Sequence, residues 1–275
     1  MISNYVIERR IKLGDFLQNA HLSKSYISKL INLNAISNKD RYLKVDDVLE
    51  KGEQIYINYS LLEENTNELF KFDIDVIYEN SEIIAIEKPA GILVHSDGVT
   101  NNTILNAVCY YLNQKGDDSV VRCLHRIDVE TTGVLLFSKN ILSYSDINYQ
   151  IENMLVLKKY QAVVRGALEK DGTIDMPIGR DRHNSKKYIV IKTGKSAHTE
   201  YKVIRKSKNK TLLDVLITTG RTHQIRVHLA SLNYPILGDK LYGDGIGEMK
   251  LHSKRLEFSL LGKKMTIVSK KSLDI

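Results

Sequence analysis

The sequence predicts an α+β protein, a mixed and mostly antiparallel sheet with helices packed on it, preceded by a small α/β unit. Three observations carry this. From Phe72 onward β signals dominate, as short apolar runs bounded by turn residues. Helical periods fall between them without any repeating strand–helix unit, which disfavours a doubly wound parallel sheet. The first sixty residues change period from helical to alternating and end at a polar, acidic stretch. With 275 residues, 43% apolar and 27% charged, the chain can bury one large core and a smaller one, and it is too apolar to stay disordered.

In chain order, Leu13, Phe16, Leu17 and Ala20 recur at helical spacing, and Ser23 and Ser25 offer caps for a second helix with Ile27, Leu30 and Ile31 on its apolar face. Ala35-Ile36-Ser37 suggests a short strand, and Ile55, Ile57 and Tyr59 alternate as a strand with one buried face. The expected division is a module over residues 1–61, a linker over 62–71 and a larger domain over 72–275. Within that domain, 73–78 and 81–87 form a hairpin about Glu79-Asn80, and Ile104, Leu105, Val108, Tyr111 and Leu112 mark a helix capped near Asn102 or Thr103. Strands are expected at 120–124, 134–138, 160–164, 188–191, 199–204 and 212–217, with a helix through Ile141, Tyr144, Ile147, Ile151 and Met154.

Composition removes several functional classes. Cys109 and Cys123 are the only cysteines, so a disulfide framework, a zinc ribbon and an iron–sulfur site lack ligands, and a reducing cytoplasm is expected. No apolar run approaches the roughly 18 residues of a membrane span, and no export signal is expected of the charged N-terminus. Neither GxGxxG nor GxxxxGK[ST] occurs, nor HExxH, so nucleotide loops and a helical zinc site have no support. His223 and His228 are five residues apart, about 140° around a helix, which argues against a shared metal. The net charge is +7. From Arg180 to Lys210 there are 11 basic side chains against Asp181 and Glu200, so this segment alone exceeds the net charge of the chain. Such a run suits an RNA backbone or a solvated face.

Four polar, Gly-containing stretches close the apolar runs: 87–97 (EKPAGILVHSD), 125–133 (HRIDVETTG), 220–228 (GRTHQIRVH) and 234–242 (YPILGDKLY). Loops of this kind present reactive groups on a rigid scaffold. Asp128 sits in the second, between two strand signals, and on position alone could serve as a loop cap. The third reads as a helix entered through Gly220, whose N-terminus suits an anion.

Together these stretches resemble the motifs of the RluA-type pseudouridine synthases. HRIDVETTG is similar to HRLDxxTSG, with Ile127 for Leu and Thr132 for Ser. IEKPAGILVH resembles nKPaGlpvH, KKYQAVVRG the KxYxAxVxG strand, TGRTHQIRVHLASLNYPILGD the long C-terminal signature, and LHSKRLEF the closing LHAxxLxF. Residues 11–59 are similar to an S4-type RNA-binding module, though Asn34 stands where Gly is usual and Gly52-Glu53 where Gly-Asp is usual.

The resemblance implies the pseudouridine-synthase fold with a central cleft, and isomerisation of uridine in structured RNA without cofactor or metal. It implies Asp128 as the catalytic carboxylate, Arg221 as its ion-pair partner and Tyr160 as the ring that stacks on the uracil. Arg126 is implied to fill the space of a flipped base. RNA contact is expected of His125, Lys195, His223, Gln224 and Arg226, and of Lys24, Ser25, Lys29 and Arg41 on the N-terminal module. Large-subunit rRNA is the expected partner, with tRNA as the other candidate, and a monomer is expected. The competing reading is a catalytically silent RNA-binding or ribosome-assembly protein of the same fold.

Overall fold

In the computed structural model, which describes residues 2–275, the N-terminal segment forms β1 (Ile2–Val6), β2 (Ile11–Lys12), α1 (Leu13–Asn19), α2 (Lys24–Asn32), β3 (Ile36–Ser37), β4 (Val48–Leu49) and β5 (Gln54–Asn58). Strand β5 pairs antiparallel with both β1 and β3, and β2 with β4. Leu13 and Leu17 of α1, Ile27 and Leu30 of α2, and Ile55 and Ile57 of β5 share one core. Ser23 Oγ caps α2 by accepting the Tyr26 N–H at 3.3 Å. Sequence reasoning misses β1 for a physical reason: Ser3 and Tyr5 face inward while Ile2 and Val6 face solvent, the reverse of an apolar-in pattern.

The larger part comprises β6 (Asp75–Glu79), β7 (Ile83–Lys88), α3 (Ile104–Gln114), β8 (Arg122–Cys123), β9 (Thr132–Ser138), α4 (Ile141–Glu152), β10 (Leu157–Arg165), β11 (Gly172–Asp175), β12 (Ile178–Arg180), β13 (Tyr188–Val190), β14 (His198–Lys206), β15 (Lys210–Ile217), α5 (Gln224–Ser231), β16 (Leu251–Leu260) and β17 (Lys263–Val268). Ten strands form one sheet in the order β11-β14-β15-β10-β16-β9-β7-β6, with β17 also on β16 and β8 on β9. Every ladder in it is antiparallel except β16 with β9, so the mixed α+β architecture expected from the sequence is what the structure shows. Strands β12 and β13 form a separate hairpin.

Alternation assigns the two faces of the sheet. Ile84, Ile86, Leu135, Phe137, Tyr160, Ala162, Leu213 and Val215 point to the side covered by α3 and α5. Ile83, Ala85, Val134, Leu136, Leu256 and Phe258 point to the other side, where Ile147 of α4 packs. Thr103 Oγ1 caps α3 and Asn140 Oδ1 caps α4, each accepting the N–H three residues on. At the hairpin tip Asn80 Oδ1 accepts the N–H groups of Glu82 and Ile83.

The N-terminal core continues into Ile141 and Leu142 of α4. Tyr5 donates to both Glu82 oxygens at 3.0 Å, Asn140 Nδ2 donates to one at 2.9 Å, and Tyr5 meets Tyr59 at 2.8 Å. Burial pushes the Glu82 carboxyl above its ordinary value, with these hydrogen bonds opposing it. Residues 62–74 lack regular structure but are strapped along the larger part: Asn65 Nδ2 donates to Ser119 O at 3.2 Å, Glu63 pairs with Arg122, and Phe72 and Ile74 pack against the core.

The parallel join is short. His252 faces Thr132 and Ser253 faces Gly133, so β16 meets β9 at its first two residues. Gly133 has φ +105°, and a Cβ there would lie 2.3 Å from Ser253 O. Only glycine lets the backbones approach this closely. Directly upstream is the 125–131 loop that carries Asp128.

Candidate active site

Asp128 lies on the wall of a cleft of about 820 Å³ bounded by the loops 93–97, 126–131 and 220–226, by Lys158 and Tyr160 of β10, and by Met249 and Leu251. The volume falls in the range of roughly 300–1,000 Å³ typical of small-ligand sites. Three supports fix its loop. The Asp128 C=O accepts the Thr131 N–H at 3.0 Å, closing a turn. Lys88, fully buried at the end of β7, donates to Pro89 O, Val129 O and Thr131 O at 2.8, 2.7 and 3.1 Å. Burial lowers this ammonium to about 8, with Asp128 and Glu130 opposing the shift. Behind the loop, Thr132 Oγ1 bonds His252 Nδ1 at 2.8 Å, His252 Nε2 bonds Ser269 Oγ at 2.9 Å, and Ser269 Oγ donates to Glu87 Oε2 at 2.6 Å.

The partner of Asp128 is Arg226, which corrects the expected pairing with Arg221. Arg226 Nη1 donates to Asp128 Oδ2 at 2.8 Å, while Nε and Nη2 donate to the two oxygens of Asp239 at 2.7 and 2.8 Å. Arg221 lies before α5, and its Nε donates instead to Ser196 O at 2.8 Å. Five residues separate the two arginines; only Arg226 sits within the helix, whose first six residues are all buried. Burial alone would lower the Arg226 guanidinium, but Asp239 and Asp128 hold it above the ordinary arginine value. Burial alone would likewise raise Asp239, but Arg226 and the N–H groups of Leu241 and Tyr242 hold it below the usual carboxylate range. Asp128 Oδ1 takes no hydrogen bond among the described residues.

Gln224 is also corrected, from RNA contact to an internal bracket. Its Oε1 accepts Arg221 N–H at 3.0 Å and the Thr219 hydroxyl at 2.8 Å, and its Nε2 donates to His198 O and Thr199 Oγ1 at 2.8 and 3.0 Å. His125 turns inward as well. Its Nε2 accepts the Leu136 N–H at 3.2 Å, and burial, with Lys158 nearby, lowers it to about 3. Gln224 is thus spent inside the protein, whereas His125 is half-buried and its Nδ1 makes no hydrogen bond among the described residues. His223, in the left-handed region at φ 57°, places Nδ1 2.9 Å from Tyr242 Oη and Nε2 4.0 Å from Asp128 Oδ2. Tyr160 lines the cleft, and burial, with Asp128 adding to it, holds its hydroxyl well above the ordinary value, so it stays protonated.

Arg126 is exposed at the cleft edge, and its guanidinium makes no hydrogen bond among the described residues. Lys195 is exposed beside Ser196. The basic segment divides along β14, which spans about 26 Å at 3.3 Å per residue. Lys187 lies 5.8 Å from the Tyr242 ring, whereas at the far end of β14 Arg205 pairs with Asp274 and Lys206 with Glu169. Lys24, Ser25 and Lys29 lie exposed along α2, and Arg41 is paired with Asp47 at 2.6 Å. Asp239 and Lys88 escape single-residue reading. The usable signal is a helix, QIRVHL, that is apolar except for Gln224, Arg226 and His228, since a buried arginine requires carboxylates.

Replacing Arg226 with Met leaves Asp128 and buried Asp239 without their cation, and unfolding measurements should show a loss of about 3–5 kcal/mol. Arg221→Met should change stability by less than about 1 kcal/mol. Asp239 is depressed in the fold, so its contribution is complete above about pH 4 and is lost as pH falls through the folded value. Asp239→Asn should therefore destabilise most at neutral pH and least in acid.

Comparison with known proteins agrees with this geometry. The family model of RNA pseudouridylate synthases matches residues 82–231. An uncharacterized RNA pseudouridine synthase of Aquifex aeolicus is 37% identical over 242 residues, covering 84% of this chain and 77% of that protein. Ribosomal large subunit pseudouridine synthase D of Buchnera aphidicola is 35% identical over 225 residues, covering 80% of this chain and 71% of that protein. The solved structure of human RNA pseudouridylate synthase domain containing 1 superposes with a TM-score of 0.64 at 20% identity, over 76% of this chain and 86% of that one, a likeness of fold. The cleft, its motif-bearing loops and these relatives together establish that the chain belongs to the RNA pseudouridylate synthases of the RluA type, isomerases acting on RNA.

Proposed function

We propose that the protein isomerises uridine in ribosomal large-subunit RNA, with Asp128 as the reacting carboxylate. The observation that carries this is the asymmetry of Asp128: Oδ2 is bound to Arg226 and Oδ1 is unoccupied at the wall of a nucleotide-sized cleft. Relatives named ribosomal large subunit pseudouridine synthase D in Buchnera aphidicola and Pseudomonas aeruginosa support the choice of RNA.

In the reaction the N1–C1′ bond breaks, the uracil turns, C5 bonds to C1′ and the C5 proton moves to nitrogen, so atoms balance with no co-reactant. Asp128 acts as nucleophile, or as the base that starts elimination at the ribose. Arg226 ties Oδ2 and so leaves Oδ1 for the substrate. Tyr160 supplies the stacking surface, a role that suits a ring packed into the cleft wall. Arg126, exposed and without an internal partner, fills the space left by the extruded base. Residues 1–61 act as an S4-like RNA-binding module, with Lys24, Ser25 and Lys29 of α2 as the contacting face. Beyond them, 62–71 joins it to the catalytic domain of 72–275. The protein works as a monomer in the cytoplasm.

Asp128→Asn should abolish pseudouridine formation on a large-subunit rRNA transcript while affinity changes less than about tenfold, 1.4 kcal/mol. Near-normal turnover would contradict the assignment, and a natural chain that binds the RNA without any turnover would favour a silent RNA-binding protein. Arg126→Ala should slow reaction several-fold more on a stable stem-loop than on the same RNA with the target uridine mismatched, because extrusion is costlier there. An equal loss on both would make Arg126 a phosphate contact or loop support. Removing residues 2–61 would uncover Ile141 and Leu142 and strip Glu82 of Tyr5, so the module is tested by Lys24→Glu with Lys29→Glu. Weaker binding with single-turnover rates preserved at saturating RNA is expected; unchanged affinity would show that α2 does not touch RNA.

A further inference from the structure

Lys158 of β10 is a buried cation that the reaction scheme leaves without a task. Only 5% of it is exposed. Its Nζ makes no hydrogen bond or ion pair among the described residues. It points to the same face of β10 as Tyr160, two residues and about 6.6 Å along the strand. Next to the main cleft lies a second cavity of about 600 Å³ lined in part by Cys123, His125 and Met154. His95, Arg126, Lys158, Gly220 and Arg221 line both, so Lys158 stands in the wall between them.

Its neighbours are cations rather than carboxylates. The Arg221 guanidinium is fixed by the bond from Nε to Ser196 O at 2.8 Å, and its two terminal nitrogens make no hydrogen bond among the described residues. Arg126 is unbonded on the same rim. Glu152 is the one carboxylate among the described residues lining the second cavity, and its Oε1 accepts from Asn148 at 2.9 Å. A Cβ on Gly220 would sit 3.3 Å from Lys158 Nζ, so glycine keeps the approach to the ammonium open. The crowding is visible in neighbouring groups. Burial, then Arg221, lowers Lys158, and burial, then Arg126, lowers His95.

A buried ammonium beside two guanidinium groups is unfavourable until an anion arrives to pair with it. We propose that Lys158, with Arg221, forms a subsite for an RNA backbone phosphate adjacent to the target nucleotide. The proposal rests on the reading that the cleft receives a uridine of RNA: with that base on Tyr160, its own strand lies beside Lys158. Arg221 thereby has a role, though not the one expected beside Asp128. Lys158 is a binding residue whose phosphate contact holds the ribose in register with Asp128 Oδ1.

The test uses the full-length protein and the large-subunit rRNA stem-loop that binds it most tightly, with and without single methylphosphonate linkages flanking its loop uridines. One neutral linkage should weaken wild-type binding about tenfold, 1.4 kcal/mol. Lys158→Met should lose the same factor on native RNA, and the two losses should not multiply. Lys158→Arg should keep most of the affinity. Without RNA, Lys158→Met should unfold at no lower temperature than wild type, because it removes an unpaired buried charge. Multiplying losses, native affinity in Lys158→Met, or a lower unfolding temperature as its sole effect would overturn the subsite. Pseudouridine formation by wild type on native RNA is scored separately, so failure of the isomerase reading is distinguishable from failure of the phosphate contact.

Discussion

The three hydrogen bonds from Arg226 to Asp128 and Asp239 are the interaction around which the cleft is organised. They join elements far apart in sequence: the loop entering β9, the start of α5 and the turn after Pro235. Each carboxylate alone, or the guanidinium alone, would be a costly burial; together they satisfy one another. The surroundings are built to permit this. Gln224 brackets the entry to α5, the Tyr242 ring lies 5.2 Å from the Arg226 guanidinium, and Asp239 also accepts the N–H groups of Leu241 and Tyr242. Helix α5 can bury its whole first turn because its polar side chains are used internally.

The Asp128 loop is held just as firmly from the opposite side. Lys88 ties two carbonyls of the loop, Val129 and Thr131, to that of Pro89, and Gly133 brings β9 against β16 immediately after it. The result is a carboxylate with little freedom to reorganise, one oxygen tied and one facing the cleft. Preorganisation of this kind lets a site stabilise developing charge without rearranging its dipoles at the moment of reaction. Tyr160 on strand β10 and the 93–97 loop close the remaining sides, so Asp128 on its braced loop faces a rigid wall while Arg126 stands at the open rim.

Most of the sheet was legible because its strands are short apolar runs bounded by turn residues. The strands through Ile84 and Ile86, Leu135 and Phe137, and Leu213 and Val215 follow from those runs, and Thr103 capping α3 from its residue type. Strand β1 was not, because tertiary contacts bury its Ser3 and Tyr5 and expose Ile2 and Val6. At the site, the motif positions singled out Asp128 and Tyr160. The arginine was misassigned because two occur within GRTHQIRVH and spacing does not say which one enters the helix core. Gln224 and His125 look like polar recognition groups in sequence, but each saturates backbone groups inside the fold. A side chain's partners are a property of packing, and linear order does not supply it.

The central claim is that this chain converts uridine to pseudouridine through Asp128. Pseudouridine mapping across all cellular RNA, in strains lacking the gene and complemented with either the natural chain or Asp128→Asn, tests it most directly. The account predicts that one or a few large-subunit rRNA positions lose the modification, regain it with the natural chain and stay unmodified with an equally abundant Asp128→Asn protein. Restoration by Asp128→Asn, or a map unchanged when the gene is absent, would contradict it.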